Sequence, residues 1–278
     1  MHEFDLDLEP GVGSKTGADR HFVTALARGL KVLKVFRSGE EHLGNQELAR
    51  RCELPKSTVA RLTYTLTKLG FLHHDRVAGR YRLGIATLTL AGTTLARLDA
   101  MELCRPMMQK LADHTGAFVG LAIRDGMSML YIEARRSSDA AITLQMDVGS
   151  RVPIATTSLG RAWLALARPA TRKALQDRIQ ALDPALWPRL ESGIRKAMAE
   201  FEQTGYCCSF GEWHKDINAV SVPMRLGKEM PLILMCVAGP ATILPPDVMK
   251  QEVCPSLLRT VAQIESRFKL RRQQESPN

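Results

Sequence analysis

The stretch NQELARRCELPKSTVARLTYTLTKLGF, Asn45 to Phe71, contains two short helical patterns joined by only Glu53, Leu54 and Pro55. In the first, a helix over Gln46–Cys52 with Asn45 as its N-cap turns Leu48, Ala49 and Cys52 to one side. In the second, a helix over Lys56–Leu69, the residues Val59, Leu62, Leu66 and Leu69 share one face. Ser57, Arg61, Tyr64, Thr65 and Lys68 share the opposite face, almost without acids. Pro55 stands where a helix start accepts proline, and Gly70 where a helix ends in the left-handed conformation. A three-residue turn sets two such helices roughly perpendicular, the helix-turn-helix geometry.

Upstream, Val23, Leu26, Leu30, Leu33 and Phe36 recur at helical spacing, and Val32 and Val35 widen that apolar face, so an amphipathic helix is expected over Phe22–Phe36. Arg37–Gly44 is a polar loop with two glycines. Downstream, FLHHD and RYRLG flank the turn RVAG and read as a β-hairpin. This hairpin places Arg76, Arg80 and Arg82 beside the second helix, as the wing of a winged helix-turn-helix domain over residues 21–84. Charge supports that reading: residues 19–98 carry 14 Lys/Arg against 6 acids, whereas residues 99–278 carry 23 against 19. A basic face opening with Lys-Ser-Thr suits a DNA groove. The expected major-groove contacts are Lys56, Ser57, Thr58, Arg61, Tyr64 and Thr65, with Arg61 suited to a guanine edge and the wing arginines to the backbone. Winged helices also act as protein-binding modules, but the element order and the concentrated positive charge favour double-stranded DNA.

IATLTLAGTTLARL, residues 85–98, reads as a linker helix, and the chain beyond it alternates helices and strands with antiparallel hairpins. Helices are expected over Leu103–Thr115, SLGRAWLALARP (ended by Pro169), Arg172–Ile179, Leu190–Thr204 and Pro246–Leu270. Strands are expected in AFVGLAIRDG, MSMLYIEARR, AITLQMDVGSRVP, NAVSVPM and PLILMCVAG. The fold class is therefore α+β: a winged helix-turn-helix, a linker helix, and a larger α/β domain over residues 99–272 with a mainly antiparallel sheet. Residues 1–20 read as a disordered leader without a signal peptide, and residues 273–278 as a disordered tail. No apolar run is long enough for a membrane helix, which leads to an expectation of a cytoplasmic protein. Six cysteines without a C-x-x-C pair fit a reducing compartment.

At this point the motifs become recognisable. RGLKVLKVF, the Asn45–Phe71 stretch and RYRLG resemble the N-terminal domain of the IclR family of bacterial transcription regulators, whose L-P-K-S-T-V-x-R-L-L-x-T-L signature is nearly intact at Leu54–Leu66. GSRVPIATTSLGRAWLA (Gly149–Ala165), TGYCCSFGEW and VAGPATIL match later landmarks of the same family. The resemblance implies a homodimer or homotetramer that reads a palindromic operator, with a GAF/PAS-like domain that binds a small effector. It places the effector over Thr156, Thr157, Ser158, Leu159, Gly160 and Arg161, with further contacts from Ser209, Phe210, Ala219, Cys236 and Ala238. At the last five positions this chain departs from the family's acidic and serine residues, and Asp216 replaces a usual glycine. With Trp213, Met146 and Met235 expected nearby, those replacements favour an aromatic or otherwise hydrophobic acid over a small hydroxy or keto acid. Plain core packing is the competing explanation of the same replacements.

Two other functions are weighed. Vicinal Cys207 and Cys208 would suit a thiol- or metal-responsive regulator. An enzyme with a protein-binding winged helix finds little support: Ser158 lies in T-S-L-G rather than G-x-S-x-G, His214 has no nameable catalytic partner, and no phosphate or dinucleotide loop occurs. His73 and His74 have metal-ligand composition, but neighbours on a strand face opposite ways, so neither a metal site nor a cofactor is expected.

Overall fold

The computed structural model describes residues 21–36, 42–96, 100–138, 144–227 and 230–275. They divide into two units, one ending at Asp99 and one beginning at Ala100. The leader, most of the Arg37–Gly44 loop, the start of AITLQMDVGSRVP and the last three residues lie outside the described residues.

The first unit comprises α1 (Thr24–Lys34), β1 (Leu43–Gly44), α2 (Asn45–Cys52), α3 (Lys56–Lys68), β2 (Leu72–Asp75), β3 (Arg80–Leu83) and α4 (Ile85–Ala96). Its three strands are antiparallel in the order β1-β3-β2. Val32, Phe36, Leu48, Cys52, Val59, Leu66 and Leu72 close its core. Each such apolar side chain contributes about 1.5–3 kcal/mol when fully buried. Glu53 carries the turn between α2 and α3: at φ 52° it is left-handed, and Leu54 N–H donates to Ala49 O at 3.1 Å. Gly70 ends the α3 region at φ 76°, and Gly84 presses against it, since a Cβ on Gly84 would lie 2.1 Å from Gly70 O.

Three local expectations change. Asn45 is the first residue of α2, not its cap; extended Gly44 precedes the helix, and Asn45 Oδ1 is buried without a hydrogen-bond partner among the described residues. Leu69 lies past the end of α3 and is exposed, while Thr63 takes a core position with its hydroxyl donating to Ala60 O. On α1 the wide apolar face divides: Val32 is fully buried, but Val23, Leu26 and Leu30 are 61%, 62% and 51% exposed.

The second unit is a six-stranded antiparallel sheet in the order β6-β5-β4-β9-β8-β7, built from β4 (Phe118–Asp125), β5 (Ser128–Arg136), β6 (Arg151–Pro153), β7 (Cys207–Phe210), β8 (Ile217–Met224) and β9 (Ile233–Pro240). α5 (Ala100–Thr115) and the C-terminal helix pack on one side. α6 (Ser158–Leu166) and α8 (Trp187–Thr204) cover the other, with α7 (Pro169–Leu182) against α8. The C-terminal helix runs from α9 (Pro246–Val248) through a π-helical turn (Met249–Val253) into α10 (Cys254–Glu275), so it extends past Leu270, the end expected from the pattern.

Among the described residues of AITLQMDVGSRVP, only Arg151–Pro153 is strand. Pro169 opens α7 at its first turn rather than merely ending α6, because Arg168 before it is held extended. The sheet residues Phe118, Ala122, Met129 and Tyr131 meet Leu159 and Ala162 of α6 and Ile194 and Ala197 of α8 in one apolar cluster.

Candidate nucleic-acid interface and effector site

On α3, Lys56, Ser57, Arg61, Tyr64 and Thr65 are exposed and Thr58 is half-buried, so the face opposite Val59 and Leu66 is open to a ligand. Two of its side chains are locally restrained. Lys68 Nζ stands 5.6 Å from the centre of the Tyr64 ring, a cation–π arrangement that favours one ring position. Thr65 Oγ1 donates to Arg61 O at 3.0 Å, which spends its proton inside the helix and leaves it as an acceptor.

The wing tip is set by Asp75, whose Oδ1 accepts the amides of Ala78 at 3.0 Å and Val77 at 2.9 Å. Those amides hold its carboxyl below the ordinary carboxylate range. Arg76, Arg80 and Arg82 are all exposed. Between α3, the wing and the start of α4 runs an open groove of about 1080 Å³, lined in part by Tyr64, Lys68, His73, Arg76 and Arg82. His74 does not join His73; it stacks on Tyr81 with ring centres 4.5 Å apart.

In the second unit the sheet register gathers several predicted effector residues. Ala219 pairs with Ala238, which pairs with Phe118, and Ser221 pairs with Cys236, which pairs with Gly120. These positions face the α6 side. The Tyr131 ring lies over Gly120, where a Cβ would stand 2.5 Å from it, and Tyr131 meets Phe118 edge-on at 5.3 Å. Tyr131 Oη and Cys236 Sγ are 3.6 Å apart, and burial pushes the Tyr131 hydroxyl well above its ordinary value. Leu144, Met146, Trp213 and Ala219 are partly buried and pack against this cluster. Tyr131 and Phe118 were absent from the sequence-based site; only strand register shows that they share a face with Cys236.

The helix start of α6 is tightly organised. Thr157 Oγ1 donates to Pro153 O at 2.7 Å and accepts the Gly160 amide at 3.2 Å, so its hydroxyl serves as the N-cap. Ser158 and Ser221 share a buried hydroxyl hydrogen bond at 2.7 Å. Ser209 on β7 donates to Thr156 O at 2.9 Å, joining the sheet edge to this segment. The amides of Ser158 and Leu159, in the first turn of α6, have no intrahelical acceptor.

Two predicted contacts turn elsewhere. Arg161 is 3% exposed; Nε donates to Ala155 O at 3.0 Å, and both terminal nitrogens bind the Glu212 carboxylate. Its charge is already matched, so it anchors the loop carrying Glu212 and Trp213 instead of offering a free cation. Phe210 projects to the other side of the sheet, with Lys250 Nζ 5.8 Å from its ring centre, because Ser209 before it faces α6. Met235 alternates likewise with Leu234 and Cys236 and lies outside the α6-side cluster. Cys207 and Cys208 also diverge: Cys207 Sγ donates to Ala197 O at 3.3 Å on the α8 side, while Cys208 faces the C-terminal helix. The vicinal pair is therefore not a joint thiol site. Exposed His214 packs on Trp213 with ring centres 4.2 Å apart.

Comparison with known proteins converges on one family. Residues 25–76 match the profile described as the IclR helix-turn-helix domain, and residues 92–266 that described as bacterial transcriptional regulator IclR C-terminal. The chain is 31% identical over 252 residues to the HTH-type transcriptional regulator TsaQ1/TsaQ2 of Comamonas testosteroni, covering 90% of each chain. It is 28% identical to the Pca regulon regulatory protein of Pseudomonas putida, covering 74% of this chain and 70% of that one. The crystal structure of an IclR family transcriptional regulator from Brucella abortus is 39% identical and superposes with a TM-score of 0.82, covering 91% of this chain and 95% of that one. An IclR homologue from Microbacterium hydrocarbonoxydans, crystallised with 4-hydroxybenzoate, has a TM-score of 0.70 at 22% identity, over 88% of this chain and 99% of that one, and shares the fold. Among the described residues no helix is long and apolar enough to cross a membrane. With both profiles matched in order along one chain, this protein belongs to the IclR family of DNA-binding transcription regulators.

Proposed function

We propose that this regulator controls a catabolic operon in the bacterial cytoplasm in response to a small aromatic or otherwise hydrophobic acid, and that it acts as a regulator without catalysis. The observation that carries the effector class is the α6-side sheet face, where Ala219, Cys236 and Ala238 lie with Phe118 and Tyr131 on an apolar floor. A flat ring matches that floor, and the Ser158 and Leu159 amides at the start of α6 suit its carboxylate. A small keto acid would bury its polar oxygens against the alanines without partners.

Isothermal calorimetry with 4-hydroxybenzoate, benzoate and pyruvate tests this reading. The aromatic acids are expected to bind at least tenfold more tightly than pyruvate, and Ala219→Asp to erase their advantage. Equal affinity for all three would overturn the aromatic assignment.

For DNA, we assign base reading to α3 and phosphate contact to the wing. Arg61→Ala is expected to cost about 1–3 kcal/mol on the operator and to relax preference at one base pair. Arg80→Ala should weaken operator and random DNA alike and flatten the salt dependence. Fluorescence anisotropy on both DNAs at several salt concentrations separates the roles; equal loss for Arg61→Ala on both would remove its base-reading assignment.

The operator is proposed to be palindromic, because the exposed apolar residues of α1 and of α4 (Ile85, Leu88 and Leu90) suit burial between two copies of the chain. Sequencing genomic fragments selected by the protein at about 150 mM salt, where purely electrostatic binding is weakened, would reveal that symmetry.

A further inference from the structure

The side of the sheet away from the effector cluster carries a second concave surface, between α5 and α10. Glu102 in the first turn of α5 meets Arg271 near the end of α10 at 3.8 Å, so the two helices run antiparallel. The groove between them measures about 270 Å³. Lys110 and His114, one turn apart, stand on its α5 wall, and Arg259, Gln263 and Arg267 follow one another at one-turn steps along its α10 wall. Arg259 and Arg267 are thus about 12 Å apart along the axis, with Gln263 midway. Beneath them, Met107 and Leu111 are buried and close the floor with apolar atoms.

Every ionisable side chain that lines this groove is basic. Lys110, His114 and Arg267 are exposed, and their side chains make no hydrogen bond or ion pair among the described residues. Arg259 Nη2 donates to Ser256 Oγ at 3.1 Å, a neutral partner that leaves its charge unmatched. The neighbouring acids are committed elsewhere. Asp113 accepts Gln109 Nε2 at 3.0 Å and the Ser138 amide at 3.2 Å, and Glu265 accepts the Arg225 amide at 2.6 Å. The positive charge is a local concentration, since residues 99–278 as a whole carry 23 Lys/Arg against 19 acids. Like charges gathered on packed helices repel, and these exposed side chains take no part in the core.

We propose that this groove binds a small phosphate-bearing ligand, at a site separate from the effector cluster. One carboxylate would neutralise only one of the three full cations, whereas a phosphoryl group carries a charge of about −1.5 to −2 and a diphosphate more. The two arginine forks match paired phosphoryl oxygens, Lys110 supplies a point charge, and the Gln263 amide and His114 ring supply further donors. Thr260 contributes none, because its hydroxyl donates to Ser256 O at 2.8 Å. The volume lies near the lower end of the range for ligand pockets and suits one compact anion. Phosphates of a DNA backbone share this chemistry, so the test separates the two sources.

Full-length protein is titrated with sodium diphosphate by isothermal calorimetry at constant ionic strength, alone and with random-sequence duplex DNA occupying the winged helix. Saturable binding of one diphosphate per chain is expected in both conditions. The double variant Arg259→Ala/Arg267→Ala should weaken it at least tenfold. Lys269→Ala, which removes an exposed charge of α10 outside the groove, should leave it unchanged. All three side chains are exposed, so the variants are expected to fold, and circular dichroism checks that they do. Fluorescence anisotropy of the same duplex reads the other source, with equal DNA affinity expected for wild type and double variant. No saturable diphosphate binding, binding displaced by DNA, or binding that survives the double substitution would overturn the site. Equal weakening by Lys269→Ala would reduce it to a general charge effect. A several-fold loss of DNA affinity in the double variant would reassign the groove to duplex phosphates and overturn the small ligand.

Discussion

Gly160→Ala is expected to destabilise the second unit by more than about 4 kcal/mol, enough to leave most of it unfolded in a protein of ordinary stability. A Cβ at this position would lie 2.0 Å from Ile154 O and 2.3 Å from Ile154 Cα, both backbone atoms that no rotamer change can move. The neighbouring chain has little freedom to retreat. Ile154 is buried, Thr157 caps α6 through the Gly160 amide, and Ser209 holds Thr156. The glycine therefore lets α6 cross its own leading segment at contact distance, which brings Ser158 to Ser221. Urea unfolding followed by circular dichroism measures the loss. A change below about 2 kcal/mol would mean that the Ile154–Thr157 segment shifts readily and that the close approach is not a constraint.

The second large effect is expected at Glu212. Glu212→Ala removes the carboxylate that binds both terminal nitrogens of Arg161 and leaves a guanidinium that is 3% exposed in wild type. Orphaning a buried charge costs about 3–5 kcal/mol when the site stays closed. Here Glu212 itself is 39% exposed, so water enters the vacated space and the expected loss is nearer 2–3 kcal/mol. Glu212→Gln, which keeps one acceptor, should recover part of it. Because the pair also pins the loop carrying Trp213, Glu212→Ala is expected to weaken aromatic-acid binding beyond its effect on stability. Titration under conditions where the variant is fully folded tests that point. Wild-type affinity there would show that Trp213 holds its place without the ion pair.

The DNA-binding half was legible because its signals are local. The turn between α2 and α3 needed only three residues, and the apolar spacing of α3 placed Arg61 and Lys68 opposite Val59 and Leu66 without any knowledge of the rest of the chain. The hairpin followed from its glycine and from two short runs of strand-forming residues. The errors in this half were also local in kind. Asn45 has the chemistry of a cap, yet helix hydrogen bonding begins one residue earlier. The α1 pattern shows which residues are apolar, but not which of them meet the core.

The effector half divides differently. Periodicity and motif resemblance found its helices and most strands, and the T-S-L-G segment proved to be a helix start. Four-residue β7 went unread because so short a run has no period of its own, and Pro169 was taken as a stop when it is equally a start. Composition and spacing established a basic winged helix-turn-helix followed by an α/β domain, and motif resemblance supplied the order of that domain's landmark residues. The face to which each side chain turns required the sheet register. Alternation along β7 separates Cys207 from Cys208 and Ser209 from Phe210, and pairing across β4, β9 and β8 brings Gly120, Cys236 and Ser221 into one row. Arg161 was placed in the segment under the effector, and only the fold supplied its partner Glu212, 51 residues away. Such partners are joined by hydrogen bonds across the folded chain, and neither member carries a local mark of the other.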